Sequence, residues 1–417
     1  MRRIRQTTHF ILIFAISFLS GSFAGSRLIV TLAQDDNSVI VIPPGDTIKV
    51  GVAASLSGTL EEPGIDIVQA VQLAIADFNE ASAGIQGFPV ELVVEDDLCT
   101  EEGAIPVANG FVESGDMTAV IGHMCSDASI AASNIYEEAR IPMVSPSTSA
   151  GFFTARNMDV TNRVSFNDNI QGFVAARYML RVLLAKKIVV LHNQTSYGEG
   201  LADTVSLTFE LEGGEVLAFE AIDPQAEDYS DIIDLIEGLD PDLIYLGGYD
   251  SEASRLMIQI RAREALQDVL FFSDDGVFNQ DYIDFAGTAG EGTYITFGQF
   301  AGDAAALEAF NERYEMTFGI HPDDLGPFHA AAYDAARIIL VALEKVAELD
   351  AADNLRINRE ALITAIRETS DYNGLTGTIT CDAFGDCGST TIVVFRIENG
   401  KWVEIRVPES LQMTDPG

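Results

Sequence analysis

Ile121-Gly122-His123-Met124-Cys125-Ser126-Asp127-Ala128-Ser129 decides how the rest of this chain reads. The apolar run Thr118 to Ile121 predicts a buried strand. Gly122 breaks it, and a turn of small residues leads into a helix expected over Ala128 to Ala139. Such a corner presents backbone N–H groups and a hydroxyl at the positive end of a helix dipole, which suits a carboxylate. A second corner follows, where Pro142-Met143-Val144 runs into Ser145-Pro146-Ser147-Thr148-Ser149. Two neighbouring parallel strands that end in hydroxyl-rich turns place their donors at the sheet edge where α/β folds bind ligands. The expectation is a site for a small amino-acid-like zwitterion, with no chemistry performed on it.

Outward from these corners, short apolar runs alternate with segments of helical period, the signature of βαβ units. Ile48 to Ala53, Val90 to Glu95 and Arg163 to Phe166 read as further strands of a first unit, with helices over Ile65 to Asn79 and Glu101 to Glu113. A second run of the same kind begins after Asn167-Asp168-Asn169. Its strands are Lys187 to Leu191, Glu215 to Phe219, Leu243 to Leu246 and Val269 to Phe272, the last ending at Ser273-Asp274-Asp275-Gly276. Three late helices, Ala304 to Phe318, Phe328 to Leu349 and Arg359 to Thr369, have too few strands beside them for a third domain and must cover the first lobe. The chain therefore crosses between two lobes three times. The expected division is residues 47–165 plus 297–377 for one lobe, 166–296 plus 378–408 for the other, and a tail at 409–417.

At 417 residues two lobes are natural, and 47% hydrophobic content excludes a disordered chain. Sixty-four acids against 24 bases, a net charge of −40, leave no basic stripe to neutralise phosphates, which argues against nucleic acid as a partner. Arg2, Arg3 and Arg5, the apolar stretch Phe10 to Leu19 and the small residues Ser20 to Gly25 form an export signal. Cleavage after Ala24 and after Ala33 both fit, and an uncleaved anchor is the alternative. Asp35 to Asp46 reads as a polar linker, so residues 1–46 are signal and linker. Four cysteines in an exported chain imply two disulfides. Cys381 and Cys387 flank one turn and pair most simply with each other. Cys99 and Cys125 both follow sheet strands and pair next. Their spacings fit no zinc pattern.

Enzymatic readings are weaker. His123 and Cys125 together resemble a thiol nucleophile with its base, but export favours the oxidised Cys125. Ser147 lacks the Gly-x-Ser-x-Gly elbow, and Gly198-Glu199-Gly200 lacks the rest of a phosphate-binding fingerprint. The acid pairs Asp96-Asp97 and Asp274-Asp275 are adjacent on turns, which points their carboxylates apart. No cofactor is expected.

Seven pieces, IKVGVAASLSG, EDDLC, VIGHMCSDAS, IPMVSPSTSA, SYGEGLA, LIYLGGYDSEA and SDDGV, stand in order between Ile48 and Val277. In them the chain resembles the type I periplasmic solute-binding proteins of branched-chain amino acid ABC transporters, over nearly everything from Ile48 to Arg406. The resemblance implies two Rossmann-like α/β lobes with parallel sheets, a three-segment hinge, and an amino acid held in the interlobe cleft for delivery to a membrane permease. It implies that Ser126 and Thr148 grip the ligand carboxylate and that the Ser147 carbonyl meets the ammonium. Asp275 stands where the family places an acid for that ammonium, often the longer Glu. Tyr197 and Tyr249 match tyrosines that close over the ligand, and Phe328 an aromatic of the side-chain pocket. Met124 and Ser149, from the same two turns, complete the candidate set. The pair Cys99–Cys125 matches the family's disulfide beside the site. Where the family carries an aromatic after Ser57-Gly58, this chain has Thr59-Leu60-Glu61-Glu62-Pro63-Gly64, read as a solvated loop. A ligand sensor and an exported hydrolase are the alternative functions.

Overall fold

The computed structural model describes residues 38–388 and 391–413; the expected export signal lies outside them. Two sheets organise the chain. The first is parallel throughout, in the order Val90–Asp96, Ile48–Ala54, Met117–Gly122, Met143–Ser145, Thr161–Arg163. The second has seven strands, in the order Trp402–Ile405, Ile392–Ile397, Tyr294–Gly298, Leu270–Ser273, Leu243–Gly247, Lys187–His192, Glu215–Ala221. The last five of these are parallel, and the two C-terminal strands add antiparallel at one edge. Central strands such as Met117–Gly122 and Leu243–Gly247 are buried along their whole length, as expected when helices cover both faces of a parallel sheet. The long helix His329–Val346 packs on the helix Glu61–Ser82 and on two strands of the first sheet.

Several expectations are corrected. Val39–Ile42, expected as linker, is a strand paired antiparallel with Leu355–Asn358. Its Ile40 and Ile42 alternate into the core, a period-2 pattern too short to stand out beside polar neighbours. The supposed loop at Glu61 to Gly64 is the first turn of the helix Glu61–Ser82. Pro63 is tolerated there because first-turn N–H groups need no helical partner, and Glu61 and Glu62 suit the helix N-terminus. A Cβ on Gly64 would lie 1.6 Å from the Ser55 carbonyl oxygen, so this close approach requires glycine.

The crossings also shift. The strand expected at Arg163 to Phe166 is Thr161–Arg163, and Phe297 and Gly298 still belong to the second sheet. Residues 381–387 lie against Arg163, whose N–H donates to Gly385 O and whose carbonyl accepts from Cys387 N, each at 2.9 Å. The described part of the tail is not free of the fold. Leu411 is buried in the second lobe, and the Gln412 side chain bonds both the N–H and the carbonyl of Ile392.

Candidate functional site

Two turns at the edge of the first sheet are joined by hydroxyl-to-carbonyl bonds. Ser145 Oγ donates to His123 O at 2.7 Å, and Ser147 Oγ donates to Met124 O at 2.8 Å. The helix Ser126–Ala139 starts immediately beyond, so Ser126 is its first residue rather than part of the turn. Ser126 Oγ accepts from Ala150 N at 3.3 Å, and the Cys99–Cys125 disulfide ties this corner to the neighbouring strand end. Arg163 fixes the second turn from beneath. Its buried guanidinium donates to Ser149 O at 2.7 Å, to Ala150 O at 2.9 Å and to Asp386 Oδ1 at 2.6 Å.

One expected contact is corrected here. Thr148 does not face the cleft: its hydroxyl is turned inward onto Ser129 Oγ and His123 O, and the residue is fully buried. Ser149, one position on, lines the cleft instead. Successive residues of an extended turn point to opposite sides, so a one-residue step exchanges wall and core. The Ser147 carbonyl has Ser165 Oγ as a distant donor at 3.4 Å.

The second lobe supplies the acidic wall. Asp275 Oδ1 accepts from Tyr197 Oη and from Gln171 Nε2, both at 2.8 Å. Burial pushes its carboxyl up to about 6, against the opposing effect of these two donors. Asp274 and Asp168 are buried beside it, and their carboxyls are raised by burial and then by the charge of Asp275. Neither oxygen of Asp168 makes a hydrogen bond of good geometry. Of the three acids, Asp168 also feels the charge of Arg163, which acts against the rise. Tyr197 and Tyr249 stack with ring centroids 5.3 Å apart, and burial holds both phenols protonated as donors. A Cβ on Gly276 would meet Gly248 O at 2.3 Å and both tyrosine rings at 3.0 Å, so glycine lets this turn close on the pair.

Between the walls lies a cleft of about 540 Å³. Met124, Ser126, Ser147, Ser149, Tyr197, Tyr249, Asp275 and Phe328 all line it; of the candidate ligand contacts only Thr148 does not. Leu60, Phe278, Asn279 and Pro327 also line it and were not singled out from sequence. Only the departure from the family pattern after Ser57-Gly58 pointed toward this part of the wall. Phe328 is held by its N–H, which donates to the buried Asp66 Oδ2 at 3.1 Å. The lobes touch at the cleft mouth, where Asp127 Oδ1 accepts from Ser196 N at 3.0 Å.

The geometry disfavours chemistry at His123. Its ring is buried, with Nδ1 2.8 Å from Asp97 Oδ2 and Nε2 2.9 Å from Tyr136 Oη, so both nitrogens are engaged away from the cleft. Cys125 and Cys99 form one disulfide and Cys381 and Cys387 the other.

Comparison with known proteins agrees with this architecture. The periplasmic binding protein family model matches residues 47–401. A leucine-, isoleucine-, valine-, threonine- and alanine-binding protein of Pseudomonas aeruginosa is 33% identical over 320 residues, 75% of this chain and 83% of that protein. The Leu/Ile/Val-binding protein of Escherichia coli is 34% identical over 251 residues, 60% of this chain and 67% of that protein. Among solved structures, a leucine-binding protein of Thermotoga maritima superposes with a TM-score of 0.75 at 27% identity, covering 86% of this chain and 98% of that one. A branched-chain amino acid substrate-binding protein of Streptococcus pneumoniae, solved with isoleucine, gives 0.74 at 26% identity over 86% of this chain and all of that one. The chain belongs to the type I periplasmic binding protein family, alongside the Leu/Ile/Val-binding proteins.

Proposed function

We propose that the protein is the extracytoplasmic binding component of an ABC transporter, taking an α-amino acid of aliphatic type into the interlobe cleft. A single juxtaposition carries this reading: hydroxyls and a helix N-terminus at Ser126 and Ser149 on one wall face the buried carboxylate of Asp275 on the other. A zwitterion leaving water needs both charges met, and this cleft offers a partner for each. The carboxylate goes to the Ser126 and Ser149 side, and the ammonium to Asp275 and the Ser147 carbonyl. Leu60, Pro63, Phe278 and Phe328 receive the side chain.

Closure is the mechanism. Contacts from Tyr197, Tyr249 and Asp275 add only when the lobes meet, so ligand shifts the population toward a closed form that a membrane permease recognises. On sheet membership the lobes divide near residues 164–167 and 299–303 and a third time ahead of Ile392. Export rests on the first residues of the sequence, and among the described residues no helix is long and apolar enough to cross a membrane. The test is calorimetry of the purified protein with an amino-acid panel. Heat with aliphatic amino acids and a more compact shape in solution scattering are expected; neither appearing would overturn the reading.

A further inference from the structure

A second compartment adjoins the cleft and shares Pro63, Phe278, Asn279 and Pro327 with it. It straddles the lobes, with Glu62 on the first and Asp250 and Asp281 on the second. Asp323 and Asp324 complete an acidic wall, Trp402 lines another side, and none of the lining side chains is basic. Asp323 is the one acid of this wall with histidine nitrogens nearby, those of His321 and His329, each 3.6 Å away.

Asp250 differs from an ordinary surface acid. It is only 4% exposed and lines this compartment, yet its Oδ1 has no hydrogen-bond partner. Buried carboxylate oxygens normally have donors, and one without them lacks a ligand or a countercharge. Burial first, and then the charges of Glu252 and Asp281, push the Asp250 carboxyl up to about 7. Glu62 is raised by burial and then by Asp281 across the gap. Among the described residues no three His, Cys, Asp or Glu side chains are grouped to hold a metal ion, so the compartment calls for an organic cation.

We propose that this compartment receives the charged tip of a ligand side chain, extending the ligand range to α-amino acids whose apolar stem ends in an ammonium or guanidinium. The stem would run past Pro63 and Phe278, and the cation would meet Asp250 and Glu62 beside the Trp402 ring. A cation between Glu62 and Asp250 replaces repulsion across the closing lobes with attraction. The inference rests on the zwitterion reading of the cleft, and its test separates the two.

Calorimetry with leucine, lysine and arginine is run on the unaltered protein, on Asp250→Asn and on Glu62→Gln. Expected is lysine or arginine binding within about tenfold of leucine, weakened about tenfold by Asp250→Asn while leucine changes by less than about threefold. Leucine binding without any binding of basic amino acids overturns the proposal, as does basic binding that neither variant weakens. Should Asp250→Asn lose leucine as well, the exposed Glu62→Gln decides by the same criterion. Absence of heat with every amino acid, leucine included, strikes the cleft reading and this proposal with it.

Discussion

Asp127 and Ser196 join the two lobes by a hydrogen bond at the cleft mouth: the Ser196 N–H donates to Asp127 Oδ1 at 3.0 Å. Asp127 lies in the first turn of the helix Ser126–Ala139, and Ser196 opens the helix Ser196–Leu211. One carboxylate therefore faces the positive ends of two helix dipoles, but only when the lobes are together. Asp127→Ala is expected to weaken ligand binding about tenfold, the worth of one charge-assisted hydrogen bond. Titration calorimetry checks this, and unchanged thermal unfolding without ligand locates the loss in closure.

Asp275 carries the largest expected effect on binding. Asp275→Asn keeps the hydrogen bonds with Tyr197 and Gln171 feasible but removes the charge opposite the ligand ammonium. An ammonium buried without its partner costs about 3–5 kcal/mol, so affinity should fall at least about a hundredfold. The same affinity in the variant would take the ammonium role away from this residue.

The raised carboxyl of Asp275 also sets a pH dependence. Its folded value of about 6 exceeds the ordinary carboxylate value, so between the two the ligand-free folded state holds more protons than the unfolded state. Stability without ligand should accordingly fall as pH rises from about 4 to about 6, and then level off. Ligand binding has the opposite sign, because the ammonium needs the ionised form. Affinity should drop up to about tenfold per pH unit below about 6, with a proton released on binding at pH 5. Asp168, Asp274, Gln171 and Tyr197 face this carboxyl, and burial raises the carboxyls of both acids as well. Calorimetry in two buffers of different ionisation heat measures the proton directly.

Arg163 is a positioning residue for the second turn. Arg163→Met removes the donors to Ser149 O, Ala150 O and Asp386 Oδ1 at a buried site. Loss of one partner of such a pair costs about 3 kcal/mol, read as a lowered denaturant midpoint. Ligand affinity should fall as well, since Ser149 loses its support; a variant that is less stable but binds normally would separate the two roles.

Reduction of the Cys99–Cys125 disulfide opens a loop with 26 residues of separation. The chain-entropy account puts its contribution on the order of 3.5 kcal/mol. Thermal unfolding of Cys99→Ser/Cys125→Ser should show that loss, together with weaker ligand binding at Ser126.

What the sequence determined by itself is the repeating βαβ order, the two hydroxyl-rich corners, the acid after Leu270–Ser273 and the cysteine pairs. Each of these is encoded in local periodicity or short spacing, which contiguous residues carry. Contacts between distant segments decided the remainder. Val39–Ile42 is a strand only because Leu355–Asn358 lies beside it. Residues 381–387 sit with the first lobe because Arg163, Arg367 and the Thr369 carbonyl, all distant in sequence or on other elements, bond them. The exchange of Thr148 for Ser149 at the cleft turns on a one-residue step of backbone direction. Asp250, in the lining of the second compartment, stands out only after folding, which buries its Oδ1 without a donor. Burial and partnership are properties of the assembled chain, because desolvation depends on every element that covers a group and not on its neighbours in sequence.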